Sequence, residues 1–105
     1  MIKLKYEDKE YLLEFDRSTV EMLEKTGFSL QKYTDSIATM QPLLFRAAFF
    51  KHHKFEKGID YDKIWDSVKQ KGKLAGALLD MVGETYQTLM TNDETAEGND
   101  NWEVI

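Results

Sequence analysis

His52 and His53 stand side by side and are the chain's only histidines, so any chemistry that needs an imidazole has to be built there. Neighbouring positions on a helix diverge by about 100°, which keeps the pair from closing on one metal ion from one face. Between Lys51 and Lys54 they read instead as the polar C-terminal end of a helix, where positive charge suits the dipole. Ser18, Ser29, Ser36 and Ser67 are the serines a triad could recruit, and none lies in a nucleophile-elbow or glycine-rich context. The carboxylate pairs Glu7/Asp8 and Asp60/Asp62 do not continue into the spaced acids, glycine and closing Glu of a calcium loop. They read as a turn and a helix cap. The absence of cysteine removes thiolate catalysis, disulfides and Cys-ligated zinc. The expectation is a protein that is not an enzyme and holds no metal or cofactor.

Binding is the alternative, and the apolar residues are where it would occur. From Leu43 to Phe50 only Arg46 is polar, so a helix there is apolar nearly all round and needs cover on more than one side. A 105-residue chain has one modest core, so most of Leu44, Phe45, Ala48 and Phe49 should be core while Phe50 and Phe55 are left over; Phe49, Phe50 and Phe55, at the end of this helix, are the expected partner-binding residues. Methionines including Met22, Met40, Met81 and Met90 would suit such an adaptable surface as well as they suit core gap-filling. Trp65 reads as a core residue on an amphipathic helix. Trp102, Val104 and Ile105, at the tip of an acidic arm, read as a docking element.

The elements that position these residues follow from periodicity and end signals. Ile2, Leu4 and Tyr6 alternate with Lys3, Lys5 and Glu7, and Tyr11, Leu13 and Phe15 alternate in the same way, which predicts a β-hairpin. A turn at Asp8-Lys9 would pair Tyr6 with Tyr11, Leu4 with Leu13 and Ile2 with Phe15. Asp16 can cap a helix with Phe15 and Val20 as a staple, or Ser18 and Glu21 can form a capping box. That helix stops at Gly27, with Phe28 and Leu30 packing back on Leu23. A core helix starts at Thr39 or Gln41, with Pro42 inside its first turn. Asp60 caps a further helix carrying Tyr61, Ile64, Trp65 and Val68, which ends at Lys71-Gly72. A last helix runs from about Lys73 to Met90, weakened by Gly76 and Gly83. The fold class is α+β: an N-terminal hairpin on a bundle of about four helices in one domain, residues 1–90, followed by a disordered acidic tail, residues 91–105.

Charge narrows the partner. Residues 91–105 contain Asp93, Glu94, Glu97, Asp100 and Glu103 and no base. Without these five, the 19 acidic residues fall to 14 and match the 14 Lys+Arg. A neutral body with an acidic tail offers no cationic track for phosphates, which argues against nucleic acid. The alternating N-terminus is not a signal peptide, and no apolar stretch approaches the roughly 20 residues of a membrane span. Reducing cytoplasm is the expected location.

The string from Tyr11 to Val20, then Met22 to Phe28, resembles the opening of the small tail-assembly chaperones of long-tailed bacteriophages. Pro42 to Phe49 with Lys51-His52-His53 behind it, Ile64-Trp65, and the acidic tail ending Asn101-Trp102-Glu103-Val104 are similar to later parts of that family. The resemblance spans most of the chain and is one of hydrophobic pattern and short strings. It implies a protein made in the infected bacterium that holds the long helical tape-measure protein while tail-tube subunits polymerise around it, and that is absent from the finished virion. The implied partners are the tape-measure protein, the tail-tube protein and further copies of the chain. The rival reading is a tail-completion or head–tail connector protein that stays in the particle.

Overall fold

The computed structural model describes residues 1–90. In chain order these form β1 (Ile2–Tyr6), β2 (Lys9–Leu13), α1 (Arg17–Lys25), α2 (Ile37–Ala48), α3 (Phe50–His53), α4 (Tyr61–Ser67) and α5 (Lys71–Met90). The protein is α+β: one antiparallel hairpin followed by five helices among the described residues. The expected tail, 91–105, lies outside them.

The hairpin forms as expected, but its turn sits one residue earlier, at Glu7-Asp8. Ile2 pairs with Leu13, Leu4 with Tyr11 and Tyr6 with Lys9, so the register differs by two residues from the one read off the sequence. A two-residue slip leaves every side chain on its own face, and the apolar row still meets the core: Leu13 is fully buried, and Ile2, Leu4 and Tyr6 pack against it. Glu7 takes the left-handed φ of 56° that such a tight turn requires.

α1 starts where the sequence places it. The Asp16 carboxylate accepts from Thr19 N–H at 2.9 Å, and Asp16 N–H donates to Thr19 Oγ1 at 2.7 Å, closing a reciprocal box. Of the two alternatives it is the Asp16 cap that forms, completed by Thr19, and not the Ser18/Glu21 box. Phe15 and Val20 are both buried. Gly27, at φ 102°, turns the chain out of the helix; Phe28 packs back into the core, whereas Leu30 stays exposed.

α2 begins at Ile37, two residues before the earliest expected start, which puts Pro42 in its second turn. A proline there removes one helical hydrogen bond and costs about 3 kcal/mol. Burying Leu44 and Phe45 at about 1.5–3 kcal/mol each outweighs it. At Phe49 the helix tightens without leaving helical backbone angles: Phe49 N–H donates to Arg46 O at 3.2 Å, and His53 N–H donates to Phe49 O at 2.9 Å as α3 resumes. Asp60 caps α4 through Lys63 N–H at 3.1 Å, as expected. α4 nevertheless ends at Ser67, and Gln70, at φ 57°, reverses the chain into α5. Gly72 therefore lies in the first turn of α5 instead of ending α4.

No side chain or backbone from elsewhere lies within 4 Å of where a Cβ would stand at Gly76 or Gly83, so close packing does not require glycine there. Gly76→Ala is accordingly expected to stabilise the protein by about 0.5–1 kcal/mol, read as a rise in the urea midpoint at unchanged m-value.

Candidate functional site

The core is organised around Phe49. Its ring meets Phe45, Tyr61 and Tyr11 edge-on at centroid distances of 5.0, 5.1 and 5.3 Å, and Phe45 in turn meets Trp65 at 4.9 Å. With 1% of its surface exposed, Phe49 cannot touch a partner in this fold. Its expected binding role is corrected to a structural one, because hairpin and α4 both close over the side of the helix that carries it. Phe50 is half-buried, and Phe55 is 88% exposed. Lys54 lies over both rings, its Nζ 5.7 Å from the Phe50 centroid and 5.3 Å from that of Phe55, a cation–π arrangement. Trp102, Val104 and Ile105 lie outside the described residues.

Phe50 closes one end of an apolar groove between α1 and the α2–α3 helix. α1 contributes Thr19, Met22, Leu23 and Thr26; the opposite wall is Leu43, Arg46, Ala47 and Phe50. Both sets repeat at i, i+3, i+4, i+7, so each is one continuous stripe along its helix. Small residues at Thr19, Thr26 and Ala47 keep the stripes from filling the space between them, and about 260 Å³ stays open. That volume falls below the range of pockets that enclose small organic ligands; it suits one or two apolar side chains presented by a larger partner. Met22, 39% exposed, offers a pliable wall, and Arg46, paired with Asp62 at 3.3 Å, marks the polar rim. Phe50 was the one groove residue in the expected binding set. Met22 was read only as one of several methionines suited to such a surface, and Leu43 was missed, although their helical spacing could have paired them.

The histidines do something the sequence did not disclose. His53 turns inward, where Leu12 N–H donates to its Nε2 at 2.9 Å. Nε2 is therefore the bare nitrogen, and Nδ1 carries the proton toward the Glu56 carboxylate. The ring also packs edge-on against Tyr11 at 5.2 Å. His53 is thus a neutral post holding β2 to α3, not a cation at a helix end. Nearby, Glu14 N–H donates to Ala48 O at 3.0 Å, so two outward amides of the hairpin's second strand segment are tied to the helix.

His52 and Lys51 face Glu14, with Nε2 at 2.8 Å and Nζ at 3.2 Å from its carboxylate. These contacts, His52 first and Lys51 second, hold the Glu14 carboxyl below the usual range. Asp16 is lowered as well, chiefly by the Thr19 N–H it accepts as N-cap. Both carboxyls titrate lower in the folded than in the unfolded chain, so their contribution to stability is present above the ordinary carboxylate range and fades as pH falls through their folded-state values. Asp16→Ala is expected to remove about 1 kcal/mol at pH 7 and to flatten the acid limb of a pH–stability curve measured between neutrality and pH 3. Among the described residues no group of three or more His, Asp or Glu could hold a metal ion, and no helix is long and apolar enough to cross a membrane.

Residues 1–105 match the family model described as a domain of unknown function, DUF5055. The chain belongs to the DUF5055 family. No curated protein and no solved structure matches it. The DUF5055 match covers hairpin, helices and acidic tail alike.

Proposed function

We propose that the protein is a tail-assembly chaperone of long-tailed phages that holds the tape-measure protein by taking apolar side chains of its amphipathic helices into the α1/α2–α3 groove. The observation that carries this reading is the pair of i, i+3, i+4, i+7 stripes facing one another across an open apolar space, an arrangement that receives a helix laid along it. The sequence resemblance supplies the partner's identity. A groove of this size anchors few side chains, so each contact is weak. Weak contacts repeated along a long helical partner hold it by multivalency and release it when tube subunits arrive. The protein acts in the cytoplasm of the infected bacterium and is left behind when the virion is complete. The test is co-expression with the tape-measure protein from the same genome, expected to yield a soluble complex. Met22→Asp should weaken that complex by about tenfold or more, while Lys69→Glu, at an exposed residue that does not line the groove, leaves it unchanged. Failure of several tape-measure fragments to co-purify, or detection of the protein in purified virions, rejects the reading.

A further inference from the structure

β2 is paired with β1 on one side; on the other its Leu12 N–H is held by His53 Nε2, and Glu14 N–H, just past its end, by Ala48 O. Among the described residues β1 is paired on one side only, because the sheet they form has two strands. The geometry of an antiparallel ladder identifies the main-chain groups left over. Leu12 N–H points away from β1, so Leu12 and its partner Lys3 form a non-hydrogen-bonded pair, as do Glu10 and Lys5. The N–H and C=O groups of Lys3 and Lys5 therefore face outward along the free edge. Among the described residues they meet no hydrogen-bond partner beyond the hairpin, and the two ammonium groups have no ion pair.

Such an edge accepts an extended segment whose residues opposite the lysines are acidic and whose alternate residues are apolar, continuing the row of Ile2, Leu4 and Tyr6. The chain carries that sequence itself. In Asn101-Trp102-Glu103-Val104-Ile105 a strand with Glu103 beside Lys3 or Lys5 places Trp102 and Val104 on the apolar face. The route is short. Met1 and Thr88 line one cleft, so the end of α5 lies beside the start of β1, and the residues from 91 to 102 can span roughly 40 Å. We propose that residues 101–105 add to the free edge of β1 of their own chain as a third strand. Lysines on an edge repel apolar strands from other molecules; here they also select an acidic one. The inference stands apart from the proposed function, since the groove lies on other elements.

Amide hydrogen exchange followed by NMR on the full chain tests it. The Lys3 and Lys5 amides are expected to exchange about tenfold or more slowly than an unpaired strand edge. Val104→Pro, which removes a donor from the added strand, should abolish that protection while leaving the Leu4 and Tyr6 amides, bonded to β2, unaffected. Lys3→Glu with Lys5→Glu should lose it too, and Glu103→Lys should restore it. Fast exchange at Lys3 and Lys5 in the unaltered chain, or protection indifferent to Val104→Pro, overturns the proposal. Protection that grows with protein concentration also overturns it, by assigning the strand to a second copy.

Discussion

Phe49→Ala is expected to lower the unfolding free energy by about 3–5 kcal/mol, a large part of the 5–15 kcal/mol typical of a domain. Phe49 is the ring that Tyr11 from the hairpin, Phe45 from α2 and Tyr61 from α4 all share. Its removal leaves a cavity bounded by three different elements, which cannot all move in to fill it. Phe55→Ala is the informative contrast. That ring is 88% exposed, so stability should change by no more than about 0.5 kcal/mol. Urea unfolding of both variants decides the matter: equal losses would mean that Tyr11, Phe45 and Tyr61 do not close over Phe49.

His53→Ala should cost roughly 2–4 kcal/mol. A part-buried donor left without an acceptor accounts for about 1–3 of this, and the lost ring contact with Tyr11 for the remainder. His52→Ala, which breaks only the partly exposed contact with Glu14, should cost less than about 1 kcal/mol. The two neighbours are thus predicted to differ severalfold. Exchange of the Leu12 amide should accelerate only in the His53 variant, and similar behaviour of both would contradict the inward role of His53.

Where the sequence was legible, a local signal sufficed. Asp16 and Gly27 bracket α1, and Asp60 starts α4, because a cap or a left-handed glycine acts within its own turn. The hairpin was legible as an element but not in register, since a slip of two residues preserves the inside–outside pattern that was the only guide. Pro42 and Gly72 misled the boundaries of α2 and α5. In both places a local preference worth at most about 3 kcal/mol yielded to burial along the whole helix. The exposure of the aromatic residues around the end of the core helix was read least well. A helix apolar all round announces that it needs cover but not which side receives it, and so Phe49, a core candidate by its place in the apolar run, was also set beside Phe50 and Phe55 as a binding residue. The groove arises only when α1 is laid beside α2. The role of His53 arises only when residue 12 is brought to residue 53.

The ties from the hairpin to the helix, Leu12 N–H to His53 and Glu14 N–H to Ala48 O, are donated by the main chain. Every amino acid but one supplies that donor. Mutational tolerance at position 12 should therefore be broad and indifferent to side-chain chemistry, with proline as the residue excluded. The specificity of the joint resides on its helical half, in the imidazole that accepts.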